Sequence, residues 1–414
     1  MIGILRGVSG SGKSTLGQWF PFEAVLSSDD FRMMVSNSHH MTATENAFNI
    51  LHQILEMRTA QGLFTLVDAT NLRAKDLRAY KDIADKYGVP CYVYSISIDH
   101  ETAARRVKRR AENGGLNVPV EVMLKQTEKY YSGMPAIKEM FGENFREFNS
   151  TNISDAYRQI CKDYEKRFFV DVTPGSSLWF IGDVHACHKE LEEIVRAILV
   201  NDSCAHISRS NIWIAGDIID RGPSLEKTIK VIQKYNLNFV PGNHEYSFIR
   251  EMKGAECRSR SRRVTHEEFK MLKPEDQRWL LDYINKQTHF KVFVKGGTPI
   301  TPVLSHGGID VGLVKNVVSP ELPTPPRMVS YGSRCEAQPD VSVVHRGKIL
   351  LQAHGHFSWN FTTPEEEAKK NVVNLDSGCV YGGGLMAFNP FTRKYIHIKS
   401  KEWYANERSN EMDN

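Results

Sequence analysis

The chain has 414 residues, 41% hydrophobic and 25% charged, with a formal net charge of +4. This is the composition of an ordinary globular protein of two or three domains, which excludes a disordered or collagen-like chain. No apolar run approaches the roughly 18 residues of a membrane span, and the mild positive charge is compatible with a polyanionic partner without establishing one.

The elements run in chain order as follows. Ile2–Arg6, Ala24–Ser27, Phe64–Asp68 and Cys91–Ile98 are short runs of branched and aromatic residues that predict strands. Ser14–Phe20, Glu45–Gln61, Arg73–Lys86 and Glu101–Glu112 predict helices between them. Such alternation implies a parallel α/β sheet. Thr173-Pro-Gly-Ser-Ser177 is a breaker cluster. It sets expected domains over 1–168 and 175–400, with a polar tail at 401–414. Two stretches resemble insertions, Arg258–Arg263 and the proline-bearing Ser319–Arg327. The seven cysteines are scattered without a CxxC pair, as expected for reduced thiols in the cytoplasm. The first residues carry no basic n-region or cleavage site, so no signal peptide is expected.

Gly7-Val-Ser-Gly-Ser-Gly-Lys13-Ser14 matches G-x-x-x-x-G-K-[ST] between a strand and a helix. Glycines let the backbone wrap so that successive N–H groups point at phosphate oxygens. The helix start adds positive partial charge. Lys13 would meet the β/γ-phosphates and the Ser14 hydroxyl a Mg²⁺. The expected ATP site is therefore Gly7, Ser9, Gly10, Ser11, Gly12, Lys13, Ser14 and Thr15. Ser27-Ser-Asp-Asp-Phe-Arg32 follows the second strand. A carboxylate there could accept a proton from an attacking hydroxyl, and an arginine three residues on could hold an anionic acceptor. From spacing alone, Asp29 or Asp30 capping a helix is an equally good reading.

With VDATNL (Val67–Leu72), a basic helix and VPVEVM (Val118–Met123), these motifs make residues 1 to about 165 resemble the 5′-kinase domain of phage and bacterial polynucleotide kinase-phosphatases. The resemblance implies that Asp29 is the general base and that Arg32 binds the phosphate next to the acceptor 5′-OH. It also implies that Asp68 and Asn71 line the acceptor side. The family's lid carries two arginines before the V-P. Arg109 fills the first place, Asn113 falls on the second, and Arg110 is a candidate substitute.

The second half delivers polar residues after successive strands: Asp183 and His185 in GDVH, Asp217 and Arg221 in GDIIDRG, Asn243 and His244 in GNHE, His306 in SHGG, and His354 and His356 in HGH. Asp183 and His185 are two apart, so they point to one side of a strand end. Oxygen and imidazole donors without cysteine suit Mn²⁺, Fe or Zn²⁺ rather than Ca²⁺ or a structural zinc. Seven ligands suit two ions about 3.5–4 Å apart.

This half resembles the calcineurin-like metallophosphoesterases, which implies an αββα sandwich. By that resemblance Asp183, His185 and His356 hold one divalent metal, Mn²⁺ being the expected species. Asn243, His306 and His354 hold the other, and Asp217 bridges them. His244 would stabilise charge or protonate the leaving group, and Arg221 would clamp a phosphate oxygen. Asn374-Leu-Asp376-Ser-Gly-Cys-Val resembles the element of the bacterial kinase-phosphatases in which the aspartate supports activity. Ala186 and Lys189 depart from the usual GDVHGCxDEL.

A kinase and a phosphatase acting on one phosphate would cycle uselessly. The pairing makes sense on a broken strand with a 5′-OH and a 3′-phosphate or 2′,3′-cyclic phosphate. The expected enzyme heals RNA ends, with DNA ends as a second substrate. Bacterial relatives carry a ligase domain after the phosphatase. No adenylation-type K-x-D-G is found here, so a separate ligase is the expected partner. A homo-oligomer is compatible with the sequence, and no membrane is involved. The alternative is a nucleoside kinase fused to a dinucleotide polyphosphate hydrolase or protein phosphatase.

Overall fold

The computed structural model describes residues 1–37, 44–201, 211–309, 343–345, 348–358 and 362–405. They divide into two units, Met1–Lys166 and the residues from Arg167 onward.

In the first unit β1 (Ile2–Arg6), β2 (Val25–Ser27), β3 (Thr65–Asp68), β4 (Cys91–Ser97) and β5 (Phe145–Asn149) form a parallel sheet in the order β2-β3-β1-β4-β5. Its helices are α1 (Lys13–Gly17), α2 (Ser28–Ser36), α3 (Thr44–Ala60), α4 (Ala74–Lys86), α5 (His100–Glu112), α6 (Val120–Ser132), α7 (Met134–Phe141) and α8 (Ile153–Glu165). Strand β1 is buried along its whole length, as expected of a strand covered on both faces. Leu5 pairs with Asp68, so β1 and β3 end side by side. Arg6 closes β1 as a fully buried cation. It donates to Ser95 Oγ at 2.9 Å and lies 4.2 Å over the Tyr130 ring, tying α6 to the sheet edge.

The second unit contains β6 (Phe169–Asp171), β7 (Trp179–Ile181), β8 (Ile212–Ile214), β9 (Asn238–Phe239), β10 (Phe290–Val294), β11 (Ile300–Ser305), β12 (Val343–His345), β13 (Lys348–His354), β14 (Val372–Asn374), β15 (Gly384–Phe388) and β16 (Tyr395–Lys399). One sheet runs β12-β13-β11-β10-β6 with β14 on β13, and the other runs β16-β15-β7-β8-β9. The helices are α9 (His188–Asn201), α10 (Leu225–Tyr235), α11 (Asn243–Met252), α12 (Arg260–Met271), α13 (Pro274–Asn285) and α14 (Pro364–Lys369).

Period-two alternation decides the layering. Phe180 and Trp213 face Phe293, Leu304, Leu351 and Val373 in a core between the sheets. Trp179, Ile181, Ile212 and Ile214 face outward onto Leu191, Ile194, Val195 and Ile198 of α9 and Ile229 and Ile232 of α10. The ring centroids of Phe180 and Phe293 are 4.9 Å apart, and burying such a side chain contributes roughly 1.5–3 kcal/mol.

Two expected limits shift. Phe169–Asp171 pairs with β10, so the residues around 168 belong to the second unit. Tyr404 and Ala405, expected in the tail, are buried, and Tyr404 Oη donates to Glu190 at 3.0 Å. Ser319–Arg327 lies outside the described residues.

Candidate active sites

The glycine-rich loop leaves β1 and enters α1 through Gly12 at φ 100°, a left-handed torsion that glycine adopts without strain. Lys13 is folded back, donating to Val8 O at 2.9 Å and Ser11 Oγ at 3.3 Å. Ser9 N donates to Gln126 Oε1 at 2.9 Å, so α6 touches the loop. Burial pushes Lys13 down to about 8, against the pull of Asp68 and Asp29 and with Arg110 lowering it further. Burial raises Asp68, which Lys13 and a hydrogen bond with Ser14 hold down. The buried carboxylate beside the Ser14 hydroxyl fits the oxygen donors that Mg²⁺ takes in such loops. Asp68 therefore stands beside Lys13 and Ser14 of the glycine-rich loop. Asn71 donates to Leu5 O at 2.7 Å, which pins its segment to β1.

These groups share a cavity of about 1300 Å³ with Asp29 and Arg32 of α2. Ser27, not an aspartate, caps α2, accepting from Asp30 N at 3.3 Å. That leaves the Asp29 carboxylate to pair with Arg32 at the cavity wall. Arg109 departs from expectation. It is not among the residues that line this cavity, whereas Arg106 and the named substitute Arg110 are. The reason is helix phase. Ala103 and Val107 bury the inner face of α5, and 106 and 110, four apart, flank that face. Arg106 reaches Gly10 O at 3.3 Å and Arg110 reaches Leu116 O at 2.9 Å. Arg106 was missed, although its four-residue spacing from Arg110 was legible.

A charge test follows for this pocket. With burial pushing Lys13 down to about 8, a bound polyphosphate should restore its proton. ATP binding should take up protons between pH about 8 and 10.5, and affinity should fall as pH rises through that window. Calorimetry in buffers of different ionisation enthalpy reads this directly, and proton release would contradict it.

In the second unit every expected ligand follows a strand end. Asp183 and His185 follow β7, Asp217 follows β8, and Asn243 opens α11 after β9. His306 follows β11 and His354 ends β13, with His356 two residues on. Asp217 is shared between two groupings, one with His185 and His244 and one with His306 and His356. Its Oδ2 lies 3.6 Å from His185 Nε2 and 3.3 Å from His306 Nε2. Asn243 Oδ1 is 2.9 Å from His306 Nε2. His356 packs beside His306, with ring centroids 5.0 Å apart, and its N–H donates to Asp183 Oδ2 at 3.0 Å. His354 Nδ1 meets Gly355 O at 2.9 Å.

These residues fit divalent cations. Asp183 Oδ1 is buried without a hydrogen-bond partner among the described residues, a costly state for a carboxylate unless a cation meets it. Burial, then Asp376, raises the Asp183 pKa. Burial lowers His185, His354 and His356, keeping them neutral as ligands must be. Burial opposes charging His306, but Asp217 and Asp183 lift it to about 10, so without an ion His306 supplies the positive charge. The approach is close: a Cβ on Gly355 would lie 1.8 Å from Asp183 Oδ1, and one on Gly242 2.1 Å from Asp217 Oδ1.

Glu245 holds the cradle and was missed as a residue with a role, although it closes GNHE. Its carboxylate accepts from Asp217 N at 3.0 Å, Ile218 N at 2.9 Å, Ile219 N at 3.2 Å and Gly242 N at 2.8 Å. His244 Nδ1 is 2.5 Å from Asp220 Oδ2, and Arg221 Nη1 is 3.4 Å from His185 Nε2. Asp376 accepts from Gly378 N and Ser358 Oγ, each at 2.9 Å, and reaches the centre through its repulsion of Asp183. Lys189 pairs with Glu402 at 3.6 Å.

Strain accumulates here. His185, Ala186, Asp217, Asp220, Arg221 and His356 all have φ between 43° and 73°. Strain of this kind is typical of functional sites. At Ala186, φ 56°, the family's glycine would be relaxed. Left-handed strain of roughly 1–2 kcal/mol exceeds the entropy glycine loses on folding, about 0.4–1 kcal/mol. Ala186→Gly should therefore raise Tm by a few degrees with activity kept, as measured by thermal unfolding.

Among the described residues no helix is long and apolar enough to cross a membrane. Residues 2–132 match the family described as AAA domain. The asymmetrical bis(5′-nucleosyl)-tetraphosphatase PrpE of Oceanobacillus iheyensis is 25% identical over 247 residues, 55% of this chain and 94% of its own length. That of Anoxybacillus flavithermus is 26% identical over 258 residues, 56% of this chain and 98% of its own length. A gluconokinase structure from Sinorhizobium meliloti 1021 matches 38% of this chain and 87% of its own at 16% identity and TM-score 0.27. Residues 176–383, half of the chain, match the calcineurin-like phosphoesterase family, and the chain belongs to it.

Proposed function

We propose that the chain heals broken polynucleotide ends, RNA first and DNA second. The N-terminal unit transfers the γ-phosphoryl of ATP to a 5′-OH, and the C-terminal unit removes a 3′-phosphate or 2′,3′-cyclic phosphate. The observation that carries the reading is the single cavity shared by the phosphate loop and the Asp29–Arg32 pair. Its volume of about 1300 Å³ exceeds the roughly 300–1,000 Å³ of a small-ligand pocket. Lys125 and Lys129 add cationic lining, which suits a polyanionic acceptor.

At the kinase site Asp29 takes the proton of the attacking hydroxyl, Arg32 holds the adjacent acceptor phosphate, and Lys13 with the loop amides holds the donor. Arg106 and Arg110, which line the same cavity, serve as the lid arginines. At the second site two divalent ions, when bound, would supply charge neutralisation and an activated water. Asp183, His185, Asp217, Asn243, His306, His354 and His356 would hold them. Arg221 orients a phosphate oxygen, and His244, fixed by Asp220, offers Nε2 to the leaving group.

The tetraphosphatase names of the relatives favour a second reading for the C-terminal unit, hydrolysis of dinucleotide polyphosphates. The test compares a 5′-OH oligonucleotide with a nucleoside as acceptor, and a 3′-phosphorylated oligonucleotide with diadenosine tetraphosphate as hydrolase substrate. Preference for both oligonucleotides supports end healing. Preference for the nucleoside and the tetraphosphate supports the second reading.

A further inference from the structure

The basic run Arg258–Arg263 looks from the sequence like a solvated loop or a steering patch for nucleic acid. In the structure it opens α12, and its members part company. Arg258 is exposed and pairs with Glu256 at 3.0 Å. Arg262 turns inward, its side chain 16% exposed. Its Nε donates to Glu251 Oε1 at 3.0 Å, and its Nη1 lies 3.9 Å from Asp220 Oδ2.

Glu251 sits on α11, seven residues after His244, so the two share a helix face. His266 fixes its other oxygen at 2.8 Å. Arg262 thus spans from an anchored carboxylate on α11 to the buried Asp220, which grips His244 Nδ1 at 2.5 Å. Asp220 is fully enclosed, and its Oδ1 has no hydrogen-bond partner among the described residues. A fully enclosed carboxylate that grips a histidine through one oxygen and leaves the other unpartnered is held in place by a fixed cation beside it.

We propose that Arg262 is a positioning residue for ester cleavage, bracing Asp220 so that His244 Nε2 stays aimed at the leaving-group oxygen. The inference rests on the phosphoesterase reading of this unit and on His244 as the proton donor. In the step concerned, water oxygen forms the new bond to phosphorus and sheds a proton to solvent. The bond to the leaving oxygen breaks, its electron pair stays on that oxygen, and the oxygen takes the proton from His244 Nε2.

The test is leaving-group dependence. A nucleoside 3′-phosphate releases a basic alkoxide that needs the proton, whereas p-nitrophenyl phosphate releases a stable phenolate that does not. Arg262→Met should lower kcat on the nucleoside phosphate about 10- to 100-fold, less than the roughly 10²–10⁴-fold of a lost proton donor because His244 itself remains. KM should stay within about threefold, and p-nitrophenyl phosphate turnover should change less than about threefold. Arg262→Lys should recover part of the loss. A metal-free readout accompanies it: the low-field Nδ1–H proton of His244 should be present in the wild type and broadened away in Arg262→Met.

Equal losses on both substrates, or none on either, overturn the proposal, as does an unchanged His244 signal. If Arg262→Met fails to fold, Arg262→Lys carries the same test with a smaller split. If the wild type itself turns over neither substrate, it is the phosphoesterase reading that fails.

Discussion

Asp29→Ala should lower transfer of phosphate to a 5′-OH oligonucleotide by about 10²–10⁴-fold, the range for a lost general base, while hydrolysis in the C-terminal unit stays within twofold. The expectation rests on placement. Asp29 is free of the capping role, which Ser27 fills, and lies on the cavity that contains Lys13. Its loss removes the proton acceptor and leaves Arg32 without its partner, so nucleotide binding should change little while transfer collapses. Labelled-ATP transfer and p-nitrophenyl phosphate hydrolysis on one preparation measure both. Equal loss of the two activities would show that the chain does not divide the work as proposed.

His185→Ala should do the converse, cutting hydrolysis by on the order of 10³-fold with transfer unchanged. His185 is buried between Asp217 and Arg221, and its ring packs edge-on against His244 at 4.9 Å. Removing it opens the grouping with Asp217 and His244 and frees the arginine expected to orient phosphate. Charge neutralisation at such a centre is worth several kcal/mol of barrier, which sets the factor. Competition between Mn²⁺ and a chromogenic chelator should show weaker uptake. Full hydrolysis by the variant would remove His185 from the site.

What the sequence disclosed was what is local. The strands over 2–6 and 91–98, the phosphate loop and the histidine motifs were legible because period and spacing specify them within a few residues. Sheet order was not. That β3 lies beside β1 places Asp68 against Ser14, and no local pattern says which strand neighbours which. Helix phase against the rest of the fold was equally hidden, so Arg109 was put first and Arg110 only as its substitute, while Arg106, which lines the cavity with Arg110, was missed. The same gap hid Glu245, whose role is to gather four backbone N–H groups. It also hid Arg262, which reads as one more surface charge in a basic run.

By the proposed function one chain acts on opposite ends of one strand. The direct measurement is mass analysis of a single RNA oligonucleotide bearing a 5′-OH and a 3′-phosphate, treated with the protein, divalent metal and ATP isotopically labelled in its γ-phosphoryl group. One labelled phosphate should be gained at the 5′ end and the unlabelled phosphate lost from the 3′ end. An oligonucleotide recovered with both ends unchanged, from a protein that hydrolyses diadenosine tetraphosphate under the same conditions, would contradict it.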